Sequence, residues 1–115
     1  MLLVCRFAPD DDAGFLERAR RALALLGEQP GCRCAELGRA TEEPGRWVLV
    51  ASFDSITAYR RALQPFPVRE HVIPWLSEAL TDEPATYERL LSADRDGLTE
   101  HTSTLSQGSP VDRDR

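Results

Sequence analysis

The chain has 115 residues, a net charge of −5 and an isoelectric point near 5.0. That length holds one domain, with a core small enough for burial of a further surface against a partner to add usefully to its stability. An acidic balance with arginines scattered among acids excludes the basic face of a nucleic-acid binder, and no apolar run is long enough for a membrane span.

All 14 basic residues are Arg, and neither Lys nor Asn occurs. A lysine Schiff base is therefore ruled out, and Gln29, Gln64 and Gln107 are the only side-chain carboxamides. The chain enters a strand-like segment without the basic start, apolar stretch and small-residue cleavage site of a secretory signal, so a cytoplasmic protein is expected. Cys5, Cys32 and Cys34 make an odd number and argue against a disulfide framework. Cys32 and Cys34 are expected on one face of a strand as free thiols, with no structural metal, since His71 and His101 lie far from them in sequence.

Leu2 to Phe7 reads as a strand, short and apolar. Pro9 and the acids Asp10 to Asp12 follow and supply N-cap chemistry. A helix comes next, with Phe15, Ala19, Ala22, Leu23 and Leu26 at three- and four-residue steps and Gly27 as its C-cap. Residues 31–39 form the second strand. Pro44-Gly45 turns the chain into the third, 46–53, to make an antiparallel hairpin. A second helical region starts near Ser55, passes through Ala58, Tyr59 and Ala62, breaks at Pro65 and Pro67, and resumes over 68–80 with a kink at Pro74. Residues 84–91 supply a fourth strand. From Ser92 to Arg115 the composition turns polar, and this tail is expected to be disordered or loosely docked. Residues 1–91 are the expected domain.

The order βαββαβ predicts an α+β, ferredoxin-like fold: a four-stranded antiparallel sheet with its helices on one face. The third strand, Trp47 to Phe53, is apolar at almost every position, so its other face also needs cover. A second copy of the chain is the expected cover.

Three stretches carry a family resemblance: Gln29-Pro30-Gly31-Cys32; Glu43-Pro44-Gly45-Arg46-Trp47-Val48-Leu49-Val50; and Phe53-Asp54-Ser55 leading to Ala58-Tyr59. Over about residues 1–91 the chain resembles the antibiotic biosynthesis monooxygenase domain. The resemblance implies a dimeric α/β barrel, a pocket in each subunit between sheet and helices, and no cofactor. It also implies one of three roles. The first is a small cofactor-independent monooxygenase acting with O2 on an aromatic or polyketide-like molecule. The second is a non-catalytic dimer binding a small apolar ligand or assisting a pathway, and the third is a haem-degrading monooxygenase. Where the polyketide oxygenases of the family carry an Asn and, four residues later, a Trp on the third strand, this chain has Leu49 and Phe53.

In that geometry Trp47, Leu49, Ala51 and Phe53 alternate onto the helix-facing side, with Val48, Val50 and Ser52 on the other. Tyr59, His71 and Arg69 are the polar groups expected to reach the pocket, with Trp75 one turn from His71 and Cys5 facing it from the first strand. His71 and Tyr59 are the candidate catalytic residues. An imidazole there could abstract a phenolic or enolic proton, leaving a carbanion able to react with dioxygen. The alternative is that His71 lies at a helix start, partly exposed, while Tyr59 and Trp75 fill core. Glu70, adjacent to His71 on a helix, is not expected to orient it.

Overall fold

The computed structural model describes residues 1–103. Four strands form one antiparallel sheet in the order β2-β3-β1-β4: β1 (Leu2–Phe7), β2 (Cys32–Arg39), β3 (Trp47–Phe53) and β4 (Thr86–Tyr87). Helix α1 (Asp12–Gly27) crosses between β1 and β2, and three short helices, α2 (Ile56–Ala62), α3 (Phe66–His71) and α4 (Ile73–Leu76), lie between β3 and β4. This is the expected ferredoxin-like α+β arrangement.

The period-two alternation of β1 and β3 sets the register. Phe7 stands opposite Trp47, Cys5 opposite Leu49 and Leu3 opposite Ala51. All six are buried toward the helices, while Arg6, Val48, Val4, Val50, Leu2 and Ser52 occupy the open face.

Strand β2 departs from regularity. Cys32 pairs with Phe53 but Cys34 with Ser52, so a bulge absorbs one residue between them. The two cysteines therefore do not share a face, contrary to the expectation from their spacing. Cys32 packs against the core and Cys34 is exposed opposite Ser52. Arg33 is turned outward to Asp54 at 2.7 Å.

Helix α1 buries Phe15, Ala19, Ala22 and Leu26, the stripe its periodicity predicts. Its caps differ from expectation. Asp11 holds the N-cap position without a side-chain bond, and Gly27 is the last helical residue, followed by Glu28 in an ordinary right-handed conformation. The left-handed residue comes later, at Gly31 with φ +87°. A Cβ there would stand 2.6 Å from the Ala58 Cβ of α2. Both the strained φ and the contact count against any side chain, so Gly31→Ala is expected to lower stability by about 2–3 kcal/mol, read from urea unfolding.

Pro65, at the N-cap of α3, together with Pro67 and Pro74 shapes the second helical layer. The Ser55 hydroxyl caps α2, accepting from the Ala58 N–H at 3.0 Å. Helix α3 begins at Phe66, earlier than expected, because Pro67 falls in its first turn, where the missing N–H leaves no bond unmade. Pro74 takes the equivalent place in α4, so the expected kink is a break between two helices, and the helix ends at Leu76. By Leu80 the chain has rejoined the sheet, donating to the Arg6 carbonyl at 2.7 Å.

The fourth strand is shorter than the expected 84–91. Only Thr86 and Tyr87 pair with β1, opposite Leu3 and Leu2. Beyond it, in the stretch from Ser92 expected to be disordered or loosely docked, the structure holds a hairpin, β5 (Leu91–Asp94) with β6 (Gly97–Glu100). Asp94 closes its turn by accepting from the Asp96 N–H at 2.8 Å, with Gly97 at φ +133°. Residues 104–115 of the expected tail lie outside the described residues.

Candidate functional site

On the helix-facing side of the sheet, Leu49, Ala51 and Phe53 have no exposed surface at all, and Trp47 is nearly as buried. A side chain lining a water-sized void would retain accessible area, so no such space touches these three. Two aromatic groups occupy the ends of the layer. At the Trp47 end, Phe15 is the hub, with ring centroids 5.0 Å from Phe7, 5.5 Å from Trp47 and 5.5 Å from Trp75. Phe7 in turn stacks on Trp75 at 4.8 Å and 24°. At the other end Tyr59 meets Phe53 edge-on at 5.2 Å.

The residues expected to wall one pocket are thus divided. Trp47 and Trp75 join through Phe15 in a closed cluster, and Leu49 and Ala51 fill the middle. Phe53 and Tyr59 form a separate corner about 20 Å away along β3, at roughly 3.3 Å per residue. The indole N–H of Trp47 donates to Asp12 Oδ1 at 3.1 Å, whereas the buried N–H of Trp75 has no partner. Arg69 is exposed on α3. The His71 side chain, at the end of α3, is 32% exposed, with its Nε2 3.6 Å from Glu70 Oε1. Glu70 therefore does approach its neighbour, its flexible side chain reaching where the helix backbone alone would not bring it. Among the described residues no hydrogen bond, ion pair or ring contact links His71 or Arg69 to Tyr59, Phe53 or Trp75.

The chemistry of the Tyr59 corner follows from burial. Desolvation pushes the Tyr59 phenol up, and the neighbouring Cys5 adds to the shift. Burial alone pushes the Cys5 thiol up. Both groups are neutral near pH 7, so Tyr59 can donate a hydrogen bond but is no base, and Cys5 is no nucleophile. No described protein group hydrogen-bonds the Tyr59 hydroxyl.

Two open cavities outside the sheet–helix layer are lined by described residues. One of about 300 Å³ sits where β1, β2 and β3 meet the Trp47 end, and Arg6, Arg39 and Arg46 rim it. The other, about 920 Å³, lies at the opposite end between Met1, Arg60, Tyr87, Arg89 and His101. Arg89 spans its floor, donating to Ser52 Oγ and to the Met1 carbonyl, and His101 Nε2 lies 2.8 Å from Ser92 Oγ. Sequence reading missed both groupings. For the arginine notch a signal existed: the topology alone brings the end of β1, the end of β2 and the start of β3 to one edge. No three His, Cys, Asp or Glu side chains among the described residues converge as metal ligands, and no described helix is long and apolar enough to cross a membrane.

The fold has several known counterparts. SnoaB, a cofactor-independent oxygenase from Streptomyces nogalater, aligns at 25% identity over 92% of this chain and 96% of its own, with a TM-score of 0.60. A variant of the same protein aligns at 24% identity over 76% of this chain and 91% of its own, with a TM-score of 0.64. A conserved protein from Methanosarcina mazei shares the fold at 17% identity over 71% of this chain and 82% of its own, with a TM-score of 0.60. No curated protein matches the chain. The family model described as antibiotic biosynthesis monooxygenase matches residues 2–71, more than half of the sequence, and the chain belongs to that family.

Proposed function

We propose that the protein is a small cofactor-independent monooxygenase that oxidises an aromatic or polyketide-like molecule with O2. The observation that carries this reading is the end-to-end likeness to SnoaB, a cofactor-independent oxygenase, at 25% identity over 92% of this chain. Tyr59 supports it at the level of residues: a half-buried neutral phenol with an unengaged hydroxyl can donate to a substrate oxygen as negative charge builds there. His71 is the candidate base that would take the substrate proton. For an anthrone-type substrate, a ring methylene and one molecule of dioxygen give a ring carbonyl and one molecule of water. The carbon keeps one oxygen atom and gives up both hydrogens to the other, and the substrate itself supplies the electrons.

A specific observation favours a second reading, a non-catalytic dimer that binds a small apolar ligand. On β3 the helix-facing side chains Leu49, Ala51 and Phe53 carry no polar atom that could hold or deprotonate a substrate.

Oxygen uptake with an anthrone, without added metal, flavin or nicotinamide, separates the two. Turnover above the uncatalysed rate, reduced at least ten-fold in Tyr59→Phe and in His71→Ala, is the result the oxygenase reading requires. Absence of turnover in a folded protein that still binds the anthrone would replace it with the binding role.

We further propose that the open sheet face pairs two copies. Leu2, Val4 and Val48 are half-buried there and Val50 is 41% exposed, with Val4 directly opposite Val50, a row of aliphatic surface that a second copy would remove from water. Val50→Glu is expected to shift the sedimenting species to half its mass, leaving the far-ultraviolet circular dichroism unchanged.

A further inference from the structure

The arginine-rimmed notch at the Trp47 end is a different place from the Tyr59 corner, and its chemistry is different too. Three strand ends build it. Arg39 and Phe7 flank Trp47 in register, and one residue further along each strand Arg6, Val48 and Gly38 form the parallel row. Gly38 leaves that row bare: a Cβ at its position would meet only Val48 Cγ1, at 3.7 Å. The apolar part of the lining comes from the edge of Trp47 with Val48 and Leu80, and the volume of about 300 Å³ stands at the small end of ligand sites, suited to a one-ring molecule.

The three guanidinia are not equivalent. Arg6 is held by Asp82 at 3.0 Å and Glu83 at 3.4 Å, and Arg46 by Glu43 at 3.3 Å. Arg39 has no carboxylate partner among the described residues; its guanidinium lies over the Trp47 ring, 5.5 Å from the centroid. A guanidinium braced on an indole keeps its forked donors available with little side-chain freedom left to lose. One such fork matches one carboxylate. A dianion is disfavoured, because Glu43, Asp82 and Glu83 offset the charge of Arg6 and Arg46 and leave Arg39 as the one guanidinium here without a carboxylate partner among the described residues.

We propose that this notch binds a small aromatic monocarboxylate, with the carboxylate on Arg39 and the ring against the Trp47–Leu80 wall. The site stands independently of the oxygenase reading.

The test is a titration of the full-length protein with benzoate, benzyl alcohol and phenyl phosphate, followed through the Trp47 indole and the Gly38 and Arg39 amide resonances in ¹H–¹⁵N spectra. The two indole signals are assigned with Trp75→Phe. Benzoate is expected to shift these resonances saturably and to bind at least ten-fold more tightly than either competitor. In Arg39→Gln, with its fold verified by an unchanged Trp75 indole signal, benzoate affinity should fall at least ten-fold, and Arg39→Lys should fall in between. Absence of a saturable shift, equal binding of benzyl alcohol, or unchanged affinity in Arg39→Gln would overturn the proposal; preference for phenyl phosphate would reassign the notch to phosphate esters.

Discussion

Phe15→Ala is expected to lower the unfolding free energy by about 3–5 kcal/mol. Phe15 is fully buried and touches the rings of Phe7, Trp47 and Trp75. Its removal strips three aromatic contacts, each worth about 0.5–1.5 kcal/mol beyond area burial. It also leaves a void between α1, α4 and the start of β3 that rigid indoles cannot collapse to fill. A small domain has only about 5–15 kcal/mol in total, so urea unfolding followed by tryptophan fluorescence should show a midpoint lowered by a large fraction, or no folded baseline at room temperature. A loss below about 1 kcal/mol would mean that the four rings do not form one packed unit.

Leu49→Asn is expected to cost about as much for a different reason. Leu49 sits opposite Cys5 on β1 and Leu37 on β2, with no exposed surface. Exchange for Asn forfeits about 1.5–3 kcal/mol of apolar burial. It also adds an amide whose nearest cross-strand neighbours are a weakly polar thiol and an aliphatic chain, a further cost of about 1–3 kcal/mol. The combined loss is about 3–5 kcal/mol, measured in the same unfolding experiment. Survival of Leu49→Asn with full stability would reveal space beside β3 able to admit water, and with it a place for substrate. The same variant in the oxygen-uptake assay shows whether a carboxamide on this strand is sufficient to raise turnover.

The parts of the fold legible in the sequence were those with strong periodicity. The alternation of Trp47, Leu49, Ala51 and Phe53 and the Phe15–Leu26 stripe of α1 are visible in the sequence because each is long enough for its pattern to repeat. Short elements were not. Two residues of β4 carry no period, and in β5 and β6 the large apolar residues, Leu91 and Leu98, remain largely exposed, so nothing in the pattern marked a buried face. The bulge between Cys32 and Cys34 was invisible because its cause is the register against Phe53 and Ser52, a property of two strands and not of one.

Site residues were harder for a related reason. Trp47, Trp75 and Phe53 are types that suit a ligand wall and a core equally well, and the partners that decide between them, Phe7 and Phe15, come from other elements. Arg39 and Arg46 are ordinary solvated arginines until the topology sets them beside Arg6.

The bulge in β2 also sorts the thiols by reactivity. Cys5 is enclosed and Cys32 packs against the core, and burial pushes both thiols up, leaving Cys34 exposed on the other face. A water-soluble maleimide should therefore modify Cys34 first and at a single site. The native chain thus carries its own attachment point for a fluorophore or spin label on the open sheet face, and the rate of that labelling against protein concentration reads directly whether anything covers it.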